Sequence, residues 1–349
     1  MLIVILAIVG LSLLILGHEA GHFFVAKLFG LKIDEFGFGF PPRVFAKKKG
    51  ETEYSFNWLP FGGFVRIAGE NDGMITKVES EGVVNEADKK RLFYFQSAWK
   101  KALVIVAGVT TNFIIGWFLL SAIFMIGTPR ILVVGGVQKN SPAEQSGILA
   151  GDVLGGFVEA KVFIDFVNLH RGEPTAFTVV RGGKDLNFTI TPRVKVGPNE
   201  GAIGVVLAEG GESRQGFFPA IWNGLKRSLQ ICGLTVVAFY DLIKNLALHG
   251  SLLEGVVGPV GIFSVAQEAG RIGFIYLVQL ASLISLNLAV VNLIPFPALD
   301  GGRLFLIAIE KIKRSPVSWK TEAWVNTLGF ALLLVLMALL TVRDIGRFF

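Results

Sequence analysis

A single cysteine in 349 residues, Cys232, excludes an internal disulfide and a cysteine-built metal cluster. Any metal must then be held by histidine, aspartate or glutamate, and histidine is scarce as well, with only His18, His22, His170 and His249. Charge is thin: Asp, Glu, Lys and Arg make up 17% of the chain, where a soluble protein carries about a quarter. What fills the space is apolar, with 52% hydrophobic residues, including 30 phenylalanines, and a mean hydropathy of +0.60. The chain therefore reads as an integral membrane protein with several spans and one modest soluble domain. No fixed-period repeat or low-complexity tract stands out. The net charge of +6 fits a bias in cytosolic loops and not a nucleic-acid surface.

Four segments are long and apolar enough to cross a bilayer, which takes about 20 residues. They are 1–28, 102–127, 274–297 and 322–342. A cleaved signal peptide is not expected at the start, because Met1 leads straight into apolar residues and the run ends in Gly-His-Glu-Ala-Gly-His. The stretch 217–246 is interrupted by Lys226, Arg227, Asp241 and Lys244, a pattern that predicts an amphipathic helix lying in the interface. Loop charges orient the set. Residues 27–101 hold 13 Lys or Arg, the loop 301–321 adds five more, and the loop 128–216 balances nine basic against nine acidic residues. By the positive-inside rule the first two are cytosolic, the third faces outward, and both termini lie outside.

Of the first sixteen residues, fifteen are apolar or glycine; then a histidine, a glutamate and a second histidine arrive within five positions. Such groups are costly in a bilayer, so they point to function. His18 and His22, at i and i+4, share one helix face and can grip one ion, and Glu19 beside them is placed to take a proton from an activated water. A catalytic zinc asks for three protein ligands and an open position. His170 falls in the outward loop and His249 follows the amphipathic stretch, so neither has a route to the site. Asp300, in Asn-Leu-Ile-Pro-Phe-Pro-Ala-Leu-Asp-Gly-Gly (292–302), is the better third ligand. The first span runs from outside to inside and carries its histidines about 25 Å along, at 1.5 Å per residue. The third span runs the same way and delivers Asp300 to the same leaflet. Read plainly, the same residues are a helix end and a turn. Pro295 and Pro297 break the helix before Asp300, and unwound backbone at that depth needs protein or a water-filled cavity around it. Asn292 either donates a hydrogen bond to a developing oxyanion or caps and bridges helices.

His-Glu-Ala-Gly-His in a first span, Asn-Leu-Ile-Pro-Phe-Pro-Ala-Leu-Asp-Gly-Gly in a later one and an outward domain between them resemble the site-2 proteases, zinc intramembrane metalloproteases, and most closely the bacterial sigma-E regulator protease type. The resemblance takes in 35–70, Ser97–Gly108, Gly258–Ile262 and Leu299–Lys313, in order, over nearly the whole chain. It implies Zn2+ held by His18, His22 and Asp300, Glu19 as the base and Asn292 as a transition-state contact. It also implies a bacterial inner-membrane location with the active site toward the cytosolic leaflet, and single-pass substrates already trimmed outside, such as anti-sigma factors or signal-peptide remnants. Two departures stand out: Val109 occupies a position where the family often has proline, and there is room for one outward PDZ domain where some members carry two.

The fold expected is a polytopic α-helical membrane protein with four transmembrane helices, a membrane-associated β-hairpin region and one extracytoplasmic PDZ-like α+β domain. Its divisions are an N-terminal membrane core at 1–128, the PDZ-like domain at 129–196, a connector with the interfacial helix at 197–273, and a C-terminal membrane core at 274–349. Ser141 with Pro142 predicts a capped helix start, and Phe177–Arg181 and Leu186–Pro192 predict a hairpin around Gly182-Gly183. A PDZ domain takes an added peptide strand at its sheet edge, although the short Gly155–Val162 stretch argues against a full groove here. The apolar, glycine-rich pieces within 32–67 predict a sheet dipping toward the metal, whose edge pairs with an unwound substrate. A non-catalytic PDZ scaffold and a metal-ion transporter are the rival readings; a transporter needs polar groups along a crossing path, whereas here they gather at one depth.

Overall fold

The first 28 residues carry no helix breaker and almost no polar group, and Leu2–Leu28 forms one continuous helix, α1. In this computed structural model the residues described are 2–70, 89–197, 200–249, 258–315 and 317–348. The remaining elements are β1 (Ile33–Lys49), β2 (Thr52–Ile67), α2 (Ala98–Ile126), β3 (Ile131–Val137), α3 (Pro142–Gln145), β4 (Val153–Leu154), α4 (Ala160–Leu169), β5 (Thr175–Arg181), β6 (Lys184–Ile190), β7 (Val205–Gly210), α5 (Phe217–His249), α6 (Pro259–Ile272), α7 (Phe274–Leu293), α8 (Asp300–Lys313) and α9 (Trp319–Phe348). Among the described residues, α1, α2, α7 and α9 are the four helices long and apolar enough to cross a membrane. They correspond to the four segments expected.

The chain divides into two compact units. In the first, α1 packs on α2 and on the β1–β2 sheet. The two long strands bend back on themselves: Ile33–Phe38 pairs on one side with Gly63–Ile67 and on the other with Glu53–Phe56, while Arg43–Lys49 pairs with Thr52–Asn57. The hairpin expected at 32–67 is therefore a folded ribbon, with Gly63–Ile67 along one edge. That edge follows α1: the Ser12 hydroxyl bonds the Pro60 carbonyl, and the Val65 N–H donates to Glu19. Buried inside the ribbon, Glu35 holds Arg43 at 2.9 Å and Arg66 at 3.3 Å, so its charge is paired. Where the ribbon meets the helices, Ala26, Leu31, Ile33, Ile67 and Val104 form a small core.

Hydroxyls tie the helices together. From α7, Ser282 donates to Gly116 O at 2.8 Å and Ser285 to Asn112 O at 2.7 Å, both on α2. From α5, the Thr235 hydroxyl reaches Asn287 Oδ1 of α7 at 2.7 Å. The stretch 217–246, expected as an amphipathic helix, is helical, and it meets α7 at Asn287, thirteen residues into that helix. At the far end, Asp344 of α9 is buried and accepts from the Gly258 and Gly261 amides, closing the start of α6.

The second unit holds a five-stranded antiparallel sheet in the order β6-β5-β4-β3-β7. Phe163, Val167, Leu132, Val134, Val179 and Ile190 are at the heart of its core. Ser141 caps α3 through the Glu144 amide, and Gly182-Gly183 turns the β5–β6 hairpin with both φ angles positive, as expected. The boundary expected at 196 needs correction. Residues 205–210, read from the sequence as part of a glycine-rich connector, form the edge strand β7 on β3, and Ala202 and Ile203 are buried in the same core. Of the expected connector, residues 198, 199 and 250–257 lie outside the described residues. Asp152 is buried at the base of the sheet. Burial works against its charge, but bonds from Arg181 and the Leu149 amide outweigh that and hold its carboxyl below the usual range.

Candidate metal centre

Two histidines four apart on α1 cannot by themselves make a catalytic metal site; a third donor must arrive from elsewhere, and the break between α7 and α8 delivers it. Residues 294–299 are unwound, and Gly301 lets them fold back over the start of α8: a Cβ there would sit 2.1 Å from the Ile294 carbonyl oxygen. Asp300 opens α8 as a result, with Oδ2 at 3.0 Å from His18 Nε2 and 3.4 Å from His22 Nε2. The two Nε2 atoms are 3.1 Å apart. All three donors are sheltered, with side-chain exposures of 9% to 14%.

These edges fit a metal. Tetrahedral zinc with bonds of about 2.0 Å spaces its ligand atoms by about 3.3 Å. Three lone-pair-bearing atoms this close repel one another unless a cation or a proton stands between them. Apart from these two imidazole nitrogens, the buried Asp300 Oδ2 has, moreover, no hydrogen-bond partner among the described residues. His22 shows how one ring is oriented: its Nδ1–H donates to the Val104 carbonyl at 2.8 Å, leaving the Nε2 lone pair for the metal position. His18 has its Nδ1 3.2 Å from the Asn112 amide.

Helix α2 comes close enough to touch both rings because residue 108 is glycine. A Cβ there would lie 2.4 Å from His22 Nε2 and 2.8 Å from His18 Cε1. Glu19 lies beside the donors, and with Val65, Phe64, Arg303, His22 and Asp300 it borders a cavity of about 230 Å³. In that wall Arg303, one turn after Asp300, forms an ion pair with Glu70 just beyond β2.

This cavity, a closed donor set and apolar helices around it are what a hydrolase needs to admit water to one buried point. The sequence matches peptidase family M50 over residues 6–336. The chain is a member of that family. A Clostridium perfringens protein is 34% identical, with 98% of each chain covered. The zinc metalloprotease RasP of Geobacillus kaustophilus is 29% identical over 98% of this chain and 97% of its own. The regulator of sigma-W protease RasP of Bacillus subtilis is 27% identical over 99% of both. The M50 chain is thus a membrane zinc metalloprotease of the site-2 type, as the sequence motifs implied, and neither rival class survives as the main reading.

The expected site residues have different fates in the fold. His18, His22 and Asp300 come together, with Glu19 alongside. Asn292 stands half-buried in the last turn of α7, outside the lining of the cavity. His170 belongs to the second unit, where its ring bonds the Phe166 carbonyl. Sequence reasoning missed Gly108, Asn112, Glu70 and Arg303. The one signal for the first two was their spacing: like His18 and His22, they are four apart on a helix, hence on one face.

Proposed function

We propose that this M50 protease hydrolyses a peptide bond within or near the transmembrane helix of a single-pass protein, after an earlier cut outside the membrane. The observation that carries the reading is the meeting of His18 and His22, on one helix of spanning length, with Asp300, at the break that follows another, beside a strand edge. His18, His22 and Asp300 would hold zinc, which when bound acidifies water toward neutrality and polarises a carbonyl. Glu19 would act as general base, taking a proton from the attacking water and handing it to the departing amine. Its carboxylate is held for that task by the Val65 N–H at 3.1 Å. Asn292 would offer a hydrogen bond to the oxyanion, by movement of the last turn of α7.

A helical substrate exposes no free carbonyl, so it must be extended before it is cut. The edge Gly63–Ile67 supports strand addition for that purpose, since Val65 directs its N–H away from β1 and toward Glu19. In the second unit, the sheet with α4 beside edge strand β7 supports a PDZ-like fold. Phe163, Ile164, Val167, Ile203, Val205 and Leu207 border a cavity of about 420 Å³ there, room for peptide side chains. The name of the Bacillus relative, a regulator of sigma-W protease, supports anti-sigma factors as a substrate class. The basic loops support a site toward the cytosolic leaflet with both termini outside.

The test uses the purified full chain in lipid with two substrates, a tagged single-pass helix with a short ectodomain and a soluble unfolded peptide, and maps the cut by mass spectrometry. A cut inside or at the edge of the helix, with metal-chelator sensitivity, supports the reading. Cutting confined to the soluble peptide would sink it. Topology is separable: after Cys232 is replaced, outside labelling should reach new cysteines at 140–190 and miss those at 45–70.

A further inference from the structure

We propose that Asn112 is a positioning residue for the metal: its amide oxygen accepts the Nδ1–H of His18 and so keeps the Nε2 lone pair of that ring turned toward the ligand position. The inference rests on the reading of His18 as a zinc ligand.

Asn112 is fully buried on α2, and its amide lies 3.2 Å from His18 Nδ1. It is also fixed in place, because its backbone carbonyl accepts the Ser285 hydroxyl of α7 at 2.7 Å. The two ends of an asparagine amide have the same shape, and only the network around them tells which is which. With Nδ2 nearest the ring, His18 Nδ1 must hold the lone pair, and the ring proton sits on Nε2. That proton would point at Asp300 Oδ2, 3.0 Å away, and at His22 Nε2, 3.1 Å away. Such a tautomer can bridge the donors in the absence of zinc but cannot bind it. In the same orientation Asn112 Oδ1 is a buried acceptor that receives no donor among the described residues. Turning the amide about its last bond brings this idle oxygen to Nδ1. The proton then resides on Nδ1, and Nε2 is free. His22 is already held this way, its Nδ1–H on the Val104 carbonyl at 2.8 Å. The two ligand rings would then be oriented by one helix, His22 through a backbone oxygen and His18 through a side-chain oxygen. Partners of this kind fix the tautomer and raise ligand basicity.

The experiment measures zinc affinity by chelator competition on the full chain in lipid, for wild type, His18→Ala, Asn112→Leu and Asn112→Asp. Leu keeps the bulk and removes the acceptor; Asp keeps the bulk and offers acceptor atoms only. Asn112→Leu should bind zinc about 10- to 100-fold more weakly, and Asn112→Asp should match or exceed wild type. If Asn112→Leu kept wild-type affinity, or Asn112→Asp fell as far as Asn112→Leu, the inference would be overturned. An unchanged His18→Ala would remove His18 from the ligand set, a different failure that takes the inference with it. A second readout needs no Asn112 variant. In zinc-loaded protein labelled with 15N-histidine, the His18 signal (assigned by its loss in His18→Ala) should show a protonated, hydrogen-bonded Nδ1. A bare Nδ1 there would refute the proposal even if both Asn112 variants misfolded.

Discussion

Replacing Gly108 by alanine adds one methyl group, yet it should cost the enzyme its metal. The new Cβ would lie 2.4 Å from His22 Nε2, 2.5 Å from His22 Cε1 and 2.8 Å from His18 Cε1. Carbon contacts are comfortable from about 3.5 Å, so the rings or α2 must retreat by about 1 Å. Neither can do so freely. The His22 ring is bonded to Val104 O on that same helix, so moving it or the helix breaks this bond. Further along, α2 is tied to Ser282 and Ser285 of α7, bonds that a retreat of the helix would stretch. A displacement of about 1 Å at a catalytic centre commonly costs 10²-fold in rate, and loss of ring orientation costs a further 10- to 100-fold in metal affinity. The assay is zinc content by atomic emission after dialysis against a chelator, run beside cleavage of a model transmembrane substrate. Gly233→Ala is the control, since a Cβ at that α5 position meets nothing within 4 Å among the described residues; it should retain both metal and activity. A Gly108→Ala protein that keeps its zinc and cuts within about threefold of wild type would refute this account of why α2 approaches the histidines so closely.

Three further outcomes are expected. Glu19→Gln should keep zinc while slowing cleavage by at least about 10²-fold, the usual worth of a general base; cleavage near the wild-type rate would remove Glu19 from that role. Arg303→Glu should damage substrate turnover by leaving two carboxylates facing each other in the cavity wall, and Glu70→Arg in the same chain should restore part of it by rebuilding the pair in reverse; equal defects in single and double variants would show that the pair itself does not matter. In the α+β unit, the lowered carboxyl of Asp152 makes its bond to Arg181 stabilising above the ordinary aspartate value near 4, and that contribution is lost as pH falls through the lowered native value. The protection of β5 and β6 amides from hydrogen exchange, corrected for the intrinsic rate at each pH, should therefore fall as acid is added in wild type and respond less in Asp152→Asn, and parallel profiles would contradict it.

The parts of the site carried by local periodicity were legible in the sequence. Two histidines four apart share a helix face whatever else the chain does, and Asp300 could be brought toward them because the first and third apolar segments read as running the same way. The Ser141 cap and the Gly182-Gly183 turn were legible for the same reason, since each is decided within a few residues. What escaped depends on partners distant in sequence. Strand β7 has glycines on both flanks and only Val205, Val206, Leu207, Ala208 and Glu209 between them, and it becomes a strand by pairing with β3, some seventy residues earlier. Asn112 looks like one more polar residue in a span until His18 is set against it. The packing of α5 on α7 escaped for the same reason, since Thr235 finds its acceptor on Asn287, far along the chain.

The cost of placing polar groups among apolar helices explains the form of the whole centre. An unpaired polar group in such surroundings is destabilising by several kcal/mol, so each one needs a partner, and each partner restricts where an element can lie. Ser12 is held by β2, Glu19 by the Val65 amide, His22 by Val104, and Asn112 by Ser285. Each of these bonds joins two different elements, so together they fix α1 against the β2 edge on one side and α2 on the other, with α7 behind. The residues that make the metal site expensive are thus the same ones that assemble it. Substituting one should therefore be felt first as a loss of zinc affinity or of turnover, and only afterwards as a loss of fold, because the apolar faces of the four long helices remain in place without it.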